Sequence, residues 1–291
     1  MTEAIILTTP DRISFANHPV RYPAVERCIY CGETQGKLGD EHIVPYGLAR
    51  NSLVLPASSC RACETVTGRI EQAVLRRTLG HIRVRFGAPS RNKKHRNDQL
   101  TLHRVKFETM EPGSSGATIE GLDIPSSAAP MFFISLLLDQ PGILRNLALG
   151  TPLPWNMFYT YRQNEAGALL KPGEGLRVAE INPYIYAQFL AKMAYAYAVA
   201  VYGYGSFQPL VLDLIFGRTN YFRHWVGGEP VAPPSIEDEV HHISCSTRII
   251  DGRSYVVVRM RLFSFLGAPV FDIVAGELGQ RQPGPAIRRL R

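Results

Sequence analysis

Apolar residues recur every three to four positions in ETVTGRIEQAVLRRTLG (64–80). Ile70, Val74 and Leu75 share one face and Gly80 supplies a stop, so the stretch predicts a helix, weakened in its first turn by Gly68. LTLHRVKFETM (100–110) alternates with period two and predicts a strand, followed by a turn in EPGSSG (111–116). SSAAPMFFISLLLDQPGILRNLALG (126–150) predicts one or two short helices around Pro141. The strongest helical segment is NPYIYAQFLAKMAYAYAVAVYG (182–203), with Asn182 to cap it and Pro183 at its first position. It is apolar on most of its circumference, so it should be buried, and its tyrosines should be core. HHISCSTRIIDGRSYVVVRMRLFSF (241–265) predicts a hairpin turning at Asp251-Gly252, and APVFDIVAGEL (268–278) a further strand.

These elements give an α+β chain in two expected parts. Residues 1–25, with three prolines, form an extended lead-in. RVRFGAPSRNKKHRNDQ (83–99) is basic, broken by Gly87 and Pro89, and predicts a linker. The expected division is therefore 1–99 and 100–291, the second part being a larger α+β domain with a buried helix and an antiparallel hairpin. QRQPGPAIRRLR (280–291) has the composition of a loose basic tail.

Charge changes this picture. The net charge is +7, but residues 1–107 hold 17 Lys and Arg against 9 Asp and Glu, while the remainder holds 15 against 16. Basicity confined to the N-terminal third is the footprint expected for a polyanion such as DNA. Arg76, Arg77, Arg83, Arg85, Lys93 and Lys94 are the candidates for its backbone. The longest apolar runs, MFFISLLL and AYAYAVAVY, fall short of the roughly 18 residues that span a bilayer. No secretory leader is evident, and a soluble, cytoplasmic protein is expected.

Four of the five cysteines form two C-x-x-C pairs, Cys28/Cys31 and Cys60/Cys63. In a chain without a leader such pairs predict a structural, coordinatively closed zinc site. Cys245, in a strand-like stretch, is expected to be a small buried hydrophobe. Between the pairs lies DEHIVPYG (40–47). His42 there is a base, a zinc ligand or an ordinary polar residue. Four cysteines already satisfy zinc, which leaves the histidine for other work. Asp40 is expected in a solvated turn, and His241 and His242 at a surface or sheet edge.

The order Cys28-x-x-Cys31, EHIVP (41–45), LVLP (53–56), Cys60-x-x-Cys63 opening a helix resembles the HNH endonuclease family, over roughly residues 25–80. The longer outline is similar to phage- or prophage-type bacterial HNH proteins. The resemblance implies a zinc-stapled ββα-metal module, treble-clef-like, hydrolysing phosphodiester bonds in DNA. It implies His42 as general base, and Glu41 and Glu64 as ligands of a catalytic Mg²⁺ or Mn²⁺. Asn51, one residue off the expected place, would orient His42. Glu64 departs from the family's His or Asn, although a carboxylate suits a hard cation. Double-strand cutting by a one-site enzyme would favour a homodimer. The alternative is a zinc-finger-like module that binds DNA, or assembles with protein, without catalysis.

Overall fold

From the N-terminus come β1 (Ile6–Leu7), β2 (Asp11–Ile13), β3 (Val20–Arg21), β4 (Leu38–His42), a short α1 (Tyr46–Ala49) and β5 (Leu53–Cys60), which runs directly into α2 (Arg61–Ala73). A π-helical turn (Val74–Thr78) and α3 (Gly80–Arg85) extend it. Next are β6 (Gln99–Thr109), β7 (Ser115–Pro125), β8 (Phe132–Leu137), β9 (Asn156–Tyr161) and β10 (Glu174–Arg177). The long α4 (Pro183–Tyr202) precedes β11 (Gln208–Pro209), α5 (Leu212–Ile215), α6 (Phe222–Trp225) and β12 (Val226–Gly228). The chain closes with β13 (His241–Ile250), β14 (Arg253–Leu262) and β15 (Val270–Leu278). This computed structural model describes residues 6–7, 11–13, 20–49, 53–89, 99–109, 115–125, 128, 130–161, 167–177, 180–236 and 240–279.

β13, β14 and β15 form an antiparallel meander, widened by β1 and β2 against β13 and by β11 and β12 against β15. The β13–β14 turn falls at Asp251-Gly252, where φ is 46° and 75°, the left-handed pair that a two-residue hairpin needs. A second sheet, β3–β5–β4, carries the cysteine segment, and a third is β10–β6–β7. β8 and β9 pair as two strands.

α4 is the centre of the molecule. Asn182 caps it as expected, its Oδ1 accepting from the N–H groups of Tyr184 and Ile185 at 3.1 Å each. Residues 186–199 are all buried. They pack against β14, β15 and α2. One core joins Cys28, Ile43, Leu48 and Ile82 to Tyr186, Phe189, Val256 and Phe271, so apolar contact is continuous across residue 99.

Three expectations are corrected. MFFISLLL is not helical: Phe132–Leu137 is a strand, and only a 3₁₀ turn, Gly142–Arg145, follows Pro141. An apolar run of that length carries no period, and pairing with β9 decides it. The helix expected to stop at Gly80 instead resumes there, as α3, into the stretch read as a linker. His241 is fully buried in β13, not at a surface. Its Nδ1 accepts from the Phe263 N–H at 3.1 Å and its Nε2 lies 3.4 Å from the Leu48 carbonyl. The turn at 111–114 and the tail at 280–291 lie outside the described residues.

Candidate metal centre and the charge cluster behind it

The first C-x-x-C pair sits on a turn closed by Gly32 N–H donating to Cys28 O (2.9 Å) and Cys28 N–H donating to Glu33 O (2.8 Å). Gly32 has φ +80°, a conformation that penalises a side chain. The second pair lies where β5 becomes α2. Ile29 N–H donates to Ser58 O at 2.8 Å, which holds the two pairs together. The four Sγ atoms all lie within 4.8 Å of one another. Those of Cys31 and Cys60 are 3.7 Å apart. A tetrahedron with Zn–S bonds of about 2.3 Å requires S···S separations of about 3.8 Å, so the cage fits such an ion. The cluster can hold a metal ion such as zinc. The Cys63 backbone N–H at the start of α2 brings the Cys60 thiol down to about 7, whereas burial pushes Cys63 up.

Among the described residues this is the one group of three or more His, Cys, Asp or Glu side chains placed to hold an ion. Glu41, His42 and Glu64 are arranged differently. β4 alternates faces, so Glu41 and His42 point to opposite sides. Glu41 turns into the core, with its side chain 6% exposed, and meets the ammonium of Lys192, which rises from the middle of α4. The same Nζ lies 2.5 Å from a carboxylate oxygen of Glu71 on α2 and donates to the His42 carbonyl at 2.6 Å. The Tyr30 phenol stands beside Glu41.

The result is two carboxylates sharing one ammonium in a nearly dry site. Burial raises the Glu41 carboxyl despite the Lys192 charge. For Lys192, burial works downward, but Glu41 and Glu71 together hold its ammonium above the usual value. Burial, then the charges of Glu41 and Glu71, raise Tyr30.

His42 is half-buried, its ring edge-on to Tyr46 at 6.4 Å. Glu64 lies on the outer side of α2, its side chain 53% exposed and paired with Arg61 at 3.2 Å. Glu71, seven residues on, is the α2 carboxylate that faces Glu41's partner. Asn51 lies outside the described residues. Asp40, expected in a solvated turn, is part of β4. Arg21 at 2.7 Å holds its carboxyl below the ordinary range, and its other oxygen accepts from Ala57 N–H.

Of the basic candidates, Arg76 and Arg77 are exposed and Arg85 is half-buried. Arg83 donates to the carbonyls of Gly47, Leu75 and Pro89, so its guanidinium binds the module to itself. Lys93 and Lys94 lie outside the described residues. Cys245 is buried as expected.

Lys192, Glu71 and Tyr30 were not anticipated as site residues. A signal existed: one lysine inside a helix that is apolar on every side must find buried counter-charge.

No family model, curated protein or solved structure matches the chain. Fold and site therefore define it only as a mixed α+β protein with a four-cysteine cluster able to hold a metal. No helix among the described residues is long and apolar enough to cross a membrane.

Proposed function

We propose that the protein binds nucleic acid through its strand–strand–helix module, stapled by a structural zinc on Cys28, Cys31, Cys60 and Cys63, and does so without cation-dependent cutting. The observation that carries this reading is Lys192. A cutting cation must touch its carboxylate ligands and the scissile phosphate at once. The Glu41 carboxylate faces inward, and an ammonium already lies between it and Glu71. An internal cation thus supplies the charge that a metal would. Exposed Arg76 and Arg77 continue from the module and suit a backbone grip that is sequence-independent and salt-sensitive.

One observation favours a second reading, the metal-dependent endonuclease. β4 pairs with β5 across the short α1, and β5 runs into α2, giving strand, strand and helix with His42 ending the first strand. Plasmid DNA incubated with the full chain and Mg²⁺ or Mn²⁺ separates the two. The expected result is salt-dependent binding without nicking, the same in His42→Ala and Glu64→Ala. Nicking that His42→Ala abolishes would overturn the binding-only reading and establish the hydrolase. A zinc-loaded chain with no salt-dependent DNA affinity would leave only a protein-assembly role.

A further inference from the structure

The strand β9 presents an unusual surface. Met157, Tyr159 and Tyr161 occupy alternate positions, so they share one face, and they are 53%, 59% and 46% exposed. Trp155, just before the strand, is 42% exposed. Tyr159 and Tyr161 stack with centroids 6.2 Å apart and planes inclined by 28°. Tyr161 stacks in turn on its cross-strand partner Phe132, at 6.5 Å and 26°. Phe132 meets His81 of α3 at 6.3 Å. Four rings thus form one row, running from α3 out along β9.

The inner end of this row is basic. Arg85 stands one helical turn from His81 on α3, and its charge acts on that imidazole. Arg76 and Arg77 are exposed in the turn before α3. His81 itself is fixed by a 2.7 Å contact with the Pro130 carbonyl, which anchors the row to the helix. Rings serving only the core would be covered. Tyr159 and Tyr161 keep about half their surface in water, at the energetic cost that exposed aromatic area carries, while Phe132 and His81 are partly buried behind them. Stacked, solvent-facing rings next to a basic helix match the chemistry of a strand that offers flat bases on one side and phosphates on the other.

Resting on the nucleic-acid reading above, we infer that the Phe132–Tyr161–Tyr159 row is a stacking platform for unpaired bases of single-stranded nucleic acid, with Arg85, Arg76 and Arg77 receiving its phosphates. A duplex hides its base faces and gains nothing from the rings. The platform therefore selects unpaired strand, whereas the cations serve both forms.

The test is fluorescence anisotropy of the full chain with labelled oligo(dT), oligo(U) and a blunt DNA duplex. Variants are Tyr159→Ser, Tyr161→Ser, Tyr159→Phe and Arg77→Gln. Each serine variant should weaken oligo(dT) and oligo(U) binding roughly tenfold and leave the duplex unchanged. Tyr159→Phe should bind as wild type, because the ring face is retained. Arg77→Gln should weaken all three probes and flatten their salt dependence. Duplex binding combined with single-strand affinity indifferent to the rings would refute the platform alone. Binding to no probe would refute both platform and proposed function. A dimer that Tyr159→Ser or Tyr161→Ser dissociates would assign the row to a second copy of the chain and overturn the inference.

Discussion

Replacing Lys192 by methionine keeps a long, flexible side chain in the middle of α4 and deletes its charge. The change leaves the carboxylates of Glu41 and Glu71, and the carbonyl of His42, without the donor they share. Removing one partner of a buried ion pair typically costs about 3–5 kcal/mol, because the other charge stays behind in low dielectric. Glu41 is sealed and bears this in full. Glu71 is 23% exposed, so water takes up part of its charge and its share is smaller. The expected loss is about 4 kcal/mol, a large fraction of the roughly 5–15 kcal/mol that holds most domains together.

Urea denaturation followed by tryptophan fluorescence measures that loss. Acid should repair it, because protonating Glu41 removes the uncompensated charge. The penalty at about pH 5 should therefore be smaller than at neutral pH. Adding Glu41→Gln to Lys192→Met should recover a good part of the loss at neutral pH. A destabilisation below about 1 kcal/mol, the value of a surface pair, would show that the cluster is hydrated and that Lys192 is not an internal cation.

Two other predictions follow from charge and metal. His241 is pushed down to about 4 by burial, so the folded chain releases its proton more readily than the unfolded one. Its contribution, about 3 kcal/mol, is complete above the unfolded value near 6.5 and is lost as pH falls from there toward 4; His241→Gln should flatten that limb of a stability–pH curve. Elemental analysis should find about one zinc per chain, bound by four thiolates. Cys28→Ser or Cys63→Ser should abolish it and lower the melting temperature, and a folded wild-type chain lacking metal would refute the cage.

Local order was readable where one residue type forces one geometry. Asn182-Pro183 starts a helix well, Asp251-Gly252 suits a tight hairpin turn, and the two C-x-x-C pairs do come together in one four-thiol cluster. MFFISLLL was not readable, because a uniformly apolar run satisfies helix and strand alike, and the deciding partner, Asn156–Tyr161, lies some twenty residues on. Glu41 was legible as important but not in its surroundings. Strand alternation tells that Glu41 and His42 point apart. It does not tell that a lysine 151 residues further along the chain lies beneath one of them. The aromatic row was invisible for the same reason, since His81 meets Phe132 only through the tertiary packing of α3 on β8.

The polar side chains of α4 argue that the cysteine module depends on the rest of the chain. The Tyr195 hydroxyl donates to the Ile29 carbonyl at 2.7 Å, between the first two cysteines, and Lys192 donates to His42. His241 reaches Leu48, and Thr78 donates to the Glu180 carbonyl at 3.0 Å. A freestanding zinc module satisfies such groups itself or leaves them to water. Here the apolar side chains of Cys28, Ile29, Ile43 and Leu48 are covered jointly with α4, and two acidic groups share its one ammonium. A fragment ending at residue 99 would expose that surface and strand Glu41. Zinc stabilises a small module by about 10–16 kcal/mol at neutral pH, enough to hold the cysteine turns together but not to bury the face that α4 covers. Such a fragment should therefore bind zinc yet show broad amide proton resonances beyond the cysteine turns. Adding a separately produced 100–291 fragment should sharpen them. A fragment that gave a fully dispersed spectrum alone would show that the module is autonomous and that Lys192 came to it as a later addition.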